Sequence, residues 1–170
     1  VERSRGLGDV YKRQFQFNTT PGIRFGSDYS IGTAEEVSKK LGNKILFVTD
    51  PGLVKIGLHE KTITELQKYS EILIFDNVEA DPSIKTLMSC VQQGRDFDAT
   101  GVIGFGGGSS MDVSKLTALL IGSNENIHEA WGVANAKGPR LPLALYPTTS
   151  GTGSEVTPIS IITQEDLEKK

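Results

Sequence analysis

Four short, unbroken apolar runs, at 45–48, 72–75, 101–105 and 141–146, constrain this chain more than any other feature. Such a run is short for a buried helix and lacks the polar alternation of a strand with one wet face. Each therefore reads as a strand covered on both sides. The stretches between them have helical periodicity. Ala34, Val37 and Leu41 share one face of the first, and Ile63, Leu66 and Tyr69 fall at similar phase within 58–69. Ile84, Leu87, Met88 and Val91 recur at i, i+3, i+4 and i+7. Val113, Leu116, Leu119 and Leu120 line one side of the last helix, with Lys115 on the other. Doubly buried strands that alternate with helices specify an α/β fold: a parallel sheet flanked by helices on both faces.

Local signals place the ends of these elements. Thr33 with Glu36 three residues on reads as a capping box. Glu35–Lys39 and Glu36–Lys40 pair at i,i+4, and Gly42 closes that helix. Asp81 before Pro82 sets a capping carboxylate ahead of a first-turn proline. The alternation of Phe15 and Phe17, a Pro-Gly turn and Ile23 to Phe25 together read as a hairpin or edge strand. Beyond the fourth run, 156–162 reads as one more strand. No internal repeat is visible.

Bulk properties narrow the function classes. A net charge of -3 over 170 residues leaves no electrostatic footprint for nucleic acid. No apolar stretch approaches the roughly 18 residues expected of a membrane span. The single cysteine, Cys90, excludes an internal disulfide or a cysteine metal cluster and fits a reducing cytoplasm. On its apolar helix face it reads as buried filler. His59 and His128 lack metal-ligand spacing and read as surface groups. Residues 1–14, VERSRGLGDVYKRQ, have no periodicity. Asp9-Val-Tyr-Lys-Arg-Gln14 resembles the in-frame translation of GATGTGTATAAGAGACAG, a transposon end used in preparing sequencing libraries. The segment reads as a non-native, adapter-derived stretch, with a natural disordered basic tail as the alternative, leaving 15–170 as the domain. The charged end, Glu165-Asp-Leu-Glu-Lys-Lys170, reads as leading onward, so the domain is expected to be truncated there.

In sheets of this kind ligands bind outside the carboxyl ends of the strands. The three unusual segments all fall at such ends: Thr49-Asp-Pro-Gly52, Gly106-Gly-Gly-Ser-Ser110 and Pro147-Thr-Thr-Ser-Gly-Thr-Gly-Ser154. Consecutive glycines cost backbone entropy and contribute no packing. What they allow is close approach of a ligand to bare N–H groups where a helix begins, a position that favours anions. Gly106, Gly107 and Gly108, with Ser109, therefore read as a phosphate cradle. The loop is neither the G-x-G-x-x-G fingerprint, since Ser109 stands at its last glycine, nor a P-loop. Asp50 either accepts hydrogen bonds from the hydroxyls of a ribose or caps the next turn. Asp112, in the first turn of the glycine-loop helix, either meets a sugar or complements the helix dipole. Thr148, Thr149, Gly151 and Thr152 form either an uncharged ligand wall or a merely polar loop, and Glu155 caps that loop or completes the site. No Ser-His-Asp set and no nucleophile elbow can be assembled, so no catalytic residue is assigned.

The motif Gly106-Gly-Gly-Ser-Ser-Met-Asp112 followed by Pro147-Thr-Thr-Ser-Gly-Thr-Gly-Ser-Glu155 resembles the iron-containing (group III) alcohol dehydrogenases, over residues 15–170. That resemblance implies a Rossmann-like dinucleotide-binding domain of the dehydroquinate synthase-like fold, followed by a helical metal domain, with the active site between them. It implies that Gly106, Gly107, Gly108 and Ser109 hold the pyrophosphate of NAD or NADP. Asp50 would meet the adenosine ribose and favour NAD, and Asp81 falls where relatives place an Asn near the cofactor. Thr148 and Thr152 would line the nicotinamide side, and Lys170 would approach the ribose. Fe2+ or another divalent metal would be held by one Asp and three His of the helical domain, which have no counterparts here. The implied activity is hydride transfer between a small alcohol or aldehyde and nicotinamide in a homo-oligomeric full-length enzyme, with the fragment inactive alone. Glycerol dehydrogenase, maleylacetate reductase and dehydroquinate synthase relatives, or a non-catalytic dinucleotide-binding module, stay open as alternatives.

Overall fold

The computed structural model of the protein describes residues 20–132 and 134–164. The 1–14 segment, Phe15, Phe17 and the 165–170 segment, Lys170 included, lie outside the described residues. Each apolar run forms a strand: β1 (Lys44–Val48), β2 (Glu71–Phe75), β3 (Gly101–Gly106) and β4 (Leu143–Pro147). Together they make one sheet in the order β2-β1-β3-β4, with every neighbouring pair parallel. Helices α1 (Tyr29–Gly32) and α2 (Ala34–Leu41) precede β1. Helices α3 (Pro51–Lys55) and α4 (Glu60–Leu66) join β1 to β2, and α5 (Ile84–Asp96) joins β2 to β3. Helices α6 (Gly108–Ser123) and α7 (Ile127–Ala130) join β3 to β4.

The central strands explain why their sequences are apolar throughout. Successive strand residues point to opposite faces. Ile45 and Phe47 of β1, with Ile103 and Phe105 of β3, pack under α2 and α4 against Ala34, Leu41, Ile63 and Leu66. Leu46 and Val48, with Val102, pack on the other face against Leu87 and Val91 of α5 and Val113 and Leu120 of α6. The register Leu46↔Val102 and Phe47↔Ile103 keeps like-facing residues side by side. Every residue of β3 is buried, whereas β2 lies at the sheet's edge, with Ile74 37% exposed. The expectation of cover on both faces therefore holds for β1 and β3 and fails for the two edge strands β2 and β4, because the helices pack over the middle of the sheet and leave its edges half-buried.

Several local expectations are corrected. Residues 20–28 form no strand, and Ile23 and Phe25 are exposed. Thr33 makes no capping box, because α1 ends where α2 begins. Its hydroxyl donates to the Tyr29 carbonyl at 2.5 Å, and Glu36 is taken by Lys40 at 2.7 Å and Arg24 at 3.2 Å. The Glu35–Lys39 pair forms as expected, at 2.7 Å. Asp81 does not cap α5. It has a left-handed φ of 51°, and Ser83 caps the helix two residues later, its hydroxyl accepting from the Thr86 N–H at 3.2 Å. Residues 156–162 form no strand. Pro158 lacks an N–H, Thr163 makes only an isolated parallel bridge with Ser83, and side chains of α6 take the segment's polar backbone groups. His59 is buried rather than a surface group; it stands at the N-cap of α4, where the Ile63 N–H donates to its carbonyl at 3.0 Å.

Cys90 is fully buried on α5, and that burial pushes its thiol up to about 12. The thiolate is the reactive form. A disulfide reagent at neutral pH is thus expected to leave the folded chain unmodified and to label the unfolded chain completely. Rapid stoichiometric labelling of the folded chain would place Cys90 at a surface.

Candidate functional site

The topology itself marks where a ligand belongs. The chain runs from β1 outward to β2, then crosses back to β3 and continues outward to β4 on the other side. The strand order therefore reverses between β1 and β3, and open α/β sheets bind ligands at the carboxyl ends flanking such a reversal. Thr49-Asp50 leaves β1 there, and Gly106-Gly107 leaves β3 beside it. The two segments touch: a Cβ placed on Gly106 would lie 3.3 Å from Asp50 Oδ2.

Asp50 caps α3. Its Oδ1 accepts from the Leu53 N–H at 3.0 Å, and Pro51 occupies the first helical turn. Capping uses one carboxylate oxygen, and the other faces the glycine loop. The two readings of Asp50 from sequence are thus compatible with each other.

The glycines divide into two kinds. Gly106 has φ 154°, and a Cβ on it would meet the Ser110 side chain at 2.6 Å, so the fold itself requires glycine at that position. Gly107 has φ -79°, a value any residue adopts, and its added Cβ would make ordinary contact with Thr149 Oγ1 at 3.5 Å. At Gly108 the nearest atom to an added Cβ is Thr152 Cβ, at 3.6 Å. Neither position needs glycine to fold. Both open at the N-terminus of α6, a helix of 16 residues whose Gly107 N-cap brings no side-chain hydrogen bond. The first backbone donor of this end to find a carbonyl is Met111, bonded to Gly107 at 3.1 Å. Ahead of it the N–H groups of Gly108, Ser109 and Ser110 begin the helix at the positive end of its dipole.

The third segment closes over these two. The Thr148 N–H donates to the Gly106 carbonyl at 2.9 Å, which brings Thr149 and Thr152 beside Gly107 and Gly108. Thr148, Thr149, Gly151 and Thr152 are all exposed at this mouth. Gly151 and Gly153 take left-handed φ values of 95° and 69°. Beyond them Ser154 is buried, and its hydroxyl donates to Asp112 Oδ1. Asp112 Oδ2 accepts from the Ile161 N–H at 2.9 Å, and Lys115 Nζ lies 2.9 Å from Oδ1. Lys115 also donates to the carbonyls of Ser154, at 3.0 Å, and of Ile159. Asp112 thus has both oxygens engaged with the chain itself, and it stands in the second turn of α6 and not the first, because the helix begins at Gly108.

The structure therefore brings together Asp50, Gly106, Gly107, Gly108, Ser109, Thr148, Thr149, Gly151 and Thr152. Asp81 lies in the turn before α5, with its carbonyl accepting from the Thr163 hydroxyl at 3.1 Å. Sequence reasoning missed Lys115 and Ser154. The available signal was Lys115 itself, a charge on an otherwise apolar helix one turn after Asp112. A separate cavity of about 350 Å³, lined by Ile84, Arg95, Asn124 and His128 among others, includes none of the strand-end residues. Among the described residues, no group of three or more His, Cys, Asp or Glu is placed to hold a metal ion, and no helix is long and apolar enough to cross a membrane.

With this geometry in place, comparison with known proteins is decisive. The family model for iron-containing alcohol dehydrogenase matches residues 20–170. The chain belongs to that family. Among curated relatives, it is 38% identical over 131 residues to a sulfoacetaldehyde reductase of Bilophila wadsworthia, covering 76% of this chain and 34% of the relative. It is 42% identical over 132 residues to long-chain-alcohol dehydrogenase 1 of Geobacillus thermodenitrificans, covering 75% and 33%. The chain therefore spans about a third of the length of these relatives. A solved structure of sulfoacetaldehyde reductase from Bifidobacterium kashiwanohense in complex with NAD+ superposes with a TM-score of 0.77 at 27% identity, covering 91% of this chain and 41% of that one. A solved structure of an iron-containing alcohol dehydrogenase shares this fold as well, with a TM-score of 0.77 at 32% identity over 90% of this chain and 43% of that one.

Proposed function

We propose that this chain is the coenzyme-binding part of an NAD-linked alcohol dehydrogenase acting on small alcohols or aldehydes. The observation that carries the reading is glycine at both 107 and 108, positions where an added Cβ would make only ordinary contacts, at 3.5 and 3.6 Å, so the fold tolerates a side chain and has none. A diphosphate accounts for that. It needs backbone N–H groups at close range, and the start of α6 supplies them along with the favourable end of the dipole. Gly107, Gly108 and Ser109 hold the diphosphate. Asp50, through the oxygen that faces Gly106, accepts from the hydroxyls of the adenosine ribose. The same carboxylate repels a 2′-phosphate, which selects NAD over NADP. Thr148, Thr149, Gly151 and Thr152 form the wall on the nicotinamide side, orienting the ring with uncharged donors and acceptors. When bound, the nicotinamide supplies hydride transfer to or from the substrate carbon.

The described residues do not offer the set of ligands an iron ion needs. Iron would be held by protein outside these residues, and this chain alone is expected to turn over no alcohol even with added Fe2+ and NAD+. Titration of the chain with NAD+ and NADP+ tests the coenzyme reading. NAD+ is expected to bind at least about tenfold more tightly, a difference of ~1.4 kcal/mol, with Asp50→Ser closing most of that gap. Equal affinities in the parent chain, or a preference for NADP+, would remove Asp50 from the ribose.

A further inference from the structure

The wall formed by Thr148 to Thr152 has no secondary structure of its own, yet the reading above requires it to hold a nicotinamide ring at a fixed place relative to the diphosphate. From the geometry we infer that Asp112 and Lys115 are the positioning pair that fixes it, by clamping the far end of the wall to the helix that carries the phosphate cradle. This rests on the coenzyme reading and adds to it the residues that set the nicotinamide end.

The wall is suspended between two anchors. The near anchor is the Thr148 N–H on the Gly106 carbonyl, at 2.9 Å. The far anchor is Ser154, whose hydroxyl donates to Asp112 and whose carbonyl accepts from Lys115 at 3.0 Å. Residues 149–153 span the interval, with left-handed backbone at Gly151 and Gly153, and a Cβ added at either glycine meets nothing within 4 Å. Both glycines have open space on the side where a Cβ would project, which leaves the two anchors as the hydrogen bonds that tie the segment to β3 and α6. Past Ser154 the same two side chains take the Thr157 carbonyl at 3.4 Å, the Ile159 carbonyl and the Ile161 N–H at 2.9 Å. Irregular chain is thereby fastened by charge-assisted hydrogen bonds, the stronger kind.

The pair sits in the first two turns of α6, the helix whose first N–H groups face the cradle. Cradle and wall are thus referenced to one rigid element. The side chains are only 11% and 12% exposed, so the pair is poorly screened, and removing one partner leaves the other charge buried. Asp112 therefore acts on the cofactor through the wall and not by touching it.

Affinity for ADP set against affinity for NAD+ tests this, because ADP reaches the cradle and Asp50 but lacks the nicotinamide that the wall orients. Lys115→Met keeps the aliphatic stem and deletes the ammonium. It is expected to weaken NAD+ by about tenfold while ADP changes less than about twofold. Ser154→Ala removes only the hydroxyl that donates to Asp112 and is expected to shift the same ratio by a smaller factor. That variant keeps the test in force should Lys115→Met fail to fold. Equal weakening of both ligands, or an unchanged ratio in both variants, overturns the clamp while leaving the coenzyme reading intact. Failure of the parent chain to take up either ligand removes the coenzyme reading itself, and the clamp with it.

Discussion

Gly107→Ala and Gly108→Ala are each expected to weaken NAD+ binding by at least about tenfold without destabilising the fold. The two effects separate because the two positions are unconstrained from inside. Gly107 already has an extended backbone, and the nearest atom to an added methyl is 3.5 Å away. Gly108 begins α6, and its methyl would find its nearest neighbour at 3.6 Å. Alanine also has less conformational freedom than glycine to lose on folding, so Gly108→Ala is expected to stabilise the chain by about 0.4–1 kcal/mol. On the ligand side the same methyl lies over the N–H groups that a diphosphate must reach. Thermal melts and calorimetric titration of the same samples check both halves. Unchanged NAD+ affinity in both variants would mean that the cradle is an ordinary turn.

Phe47→Ala is expected to cost about 3–5 kcal/mol of stability, the usual range for truncating a fully buried aromatic. Phe47 is completely inaccessible at the centre of β1, where its ring lies 5.4 Å from that of Phe105 on β3. Phe105 in turn lies 6.2 Å from Tyr146 on β4, so the row of rings ties β1, β3 and β4 together under α2 and α4. Deleting the first ring loses its burial, leaves a cavity and unsupports its neighbour. Urea denaturation should show a lower midpoint with little change in slope. Tyr69→Ala, at an exposed site, should stay within about 0.5 kcal/mol. A loss below about 1 kcal/mol for Phe47→Ala would contradict the position assigned to β1.

What the sequence made legible follows from what each residue answers to. Ile45 to Val48 and Gly101 to Phe105 are apolar at every position because both faces of a central strand are covered, so their identity as buried strands could be read directly. Ile72 to Phe75 looks the same in sequence, yet β2 lies at the edge. Strand order depends on how the helices cross over, and no local pattern records that. The strand-end loops were legible for a related reason, since glycines and hydroxyls there deviate from what folding alone would choose. Caps were less secure. Asp81, Ser83 and Thr33 all have capping side chains, and the structure uses Ser83 because its extended backbone points the hydroxyl at Thr86. Least legible was the segment after Gly153. Val156 to Ile162 has the composition of a strand, but its hydrogen bonds go to Asp112 and Lys115, more than 40 residues earlier in the chain. Long-range side-chain demand of that kind leaves no periodicity to read.

The central claim is that a dinucleotide diphosphate rests on the bare start of α6, between the ends of β1 and β3. Backbone amide chemical shifts of the isotope-labelled chain during titration with NAD+ test it most directly. The account predicts the largest shifts at Gly107, Gly108 and Ser109, followed by Asp50 and the Thr148 to Thr152 wall, saturating together. Shifts centred instead on Arg95, Asn124 and His128, or no saturable shifts at all, would contradict it.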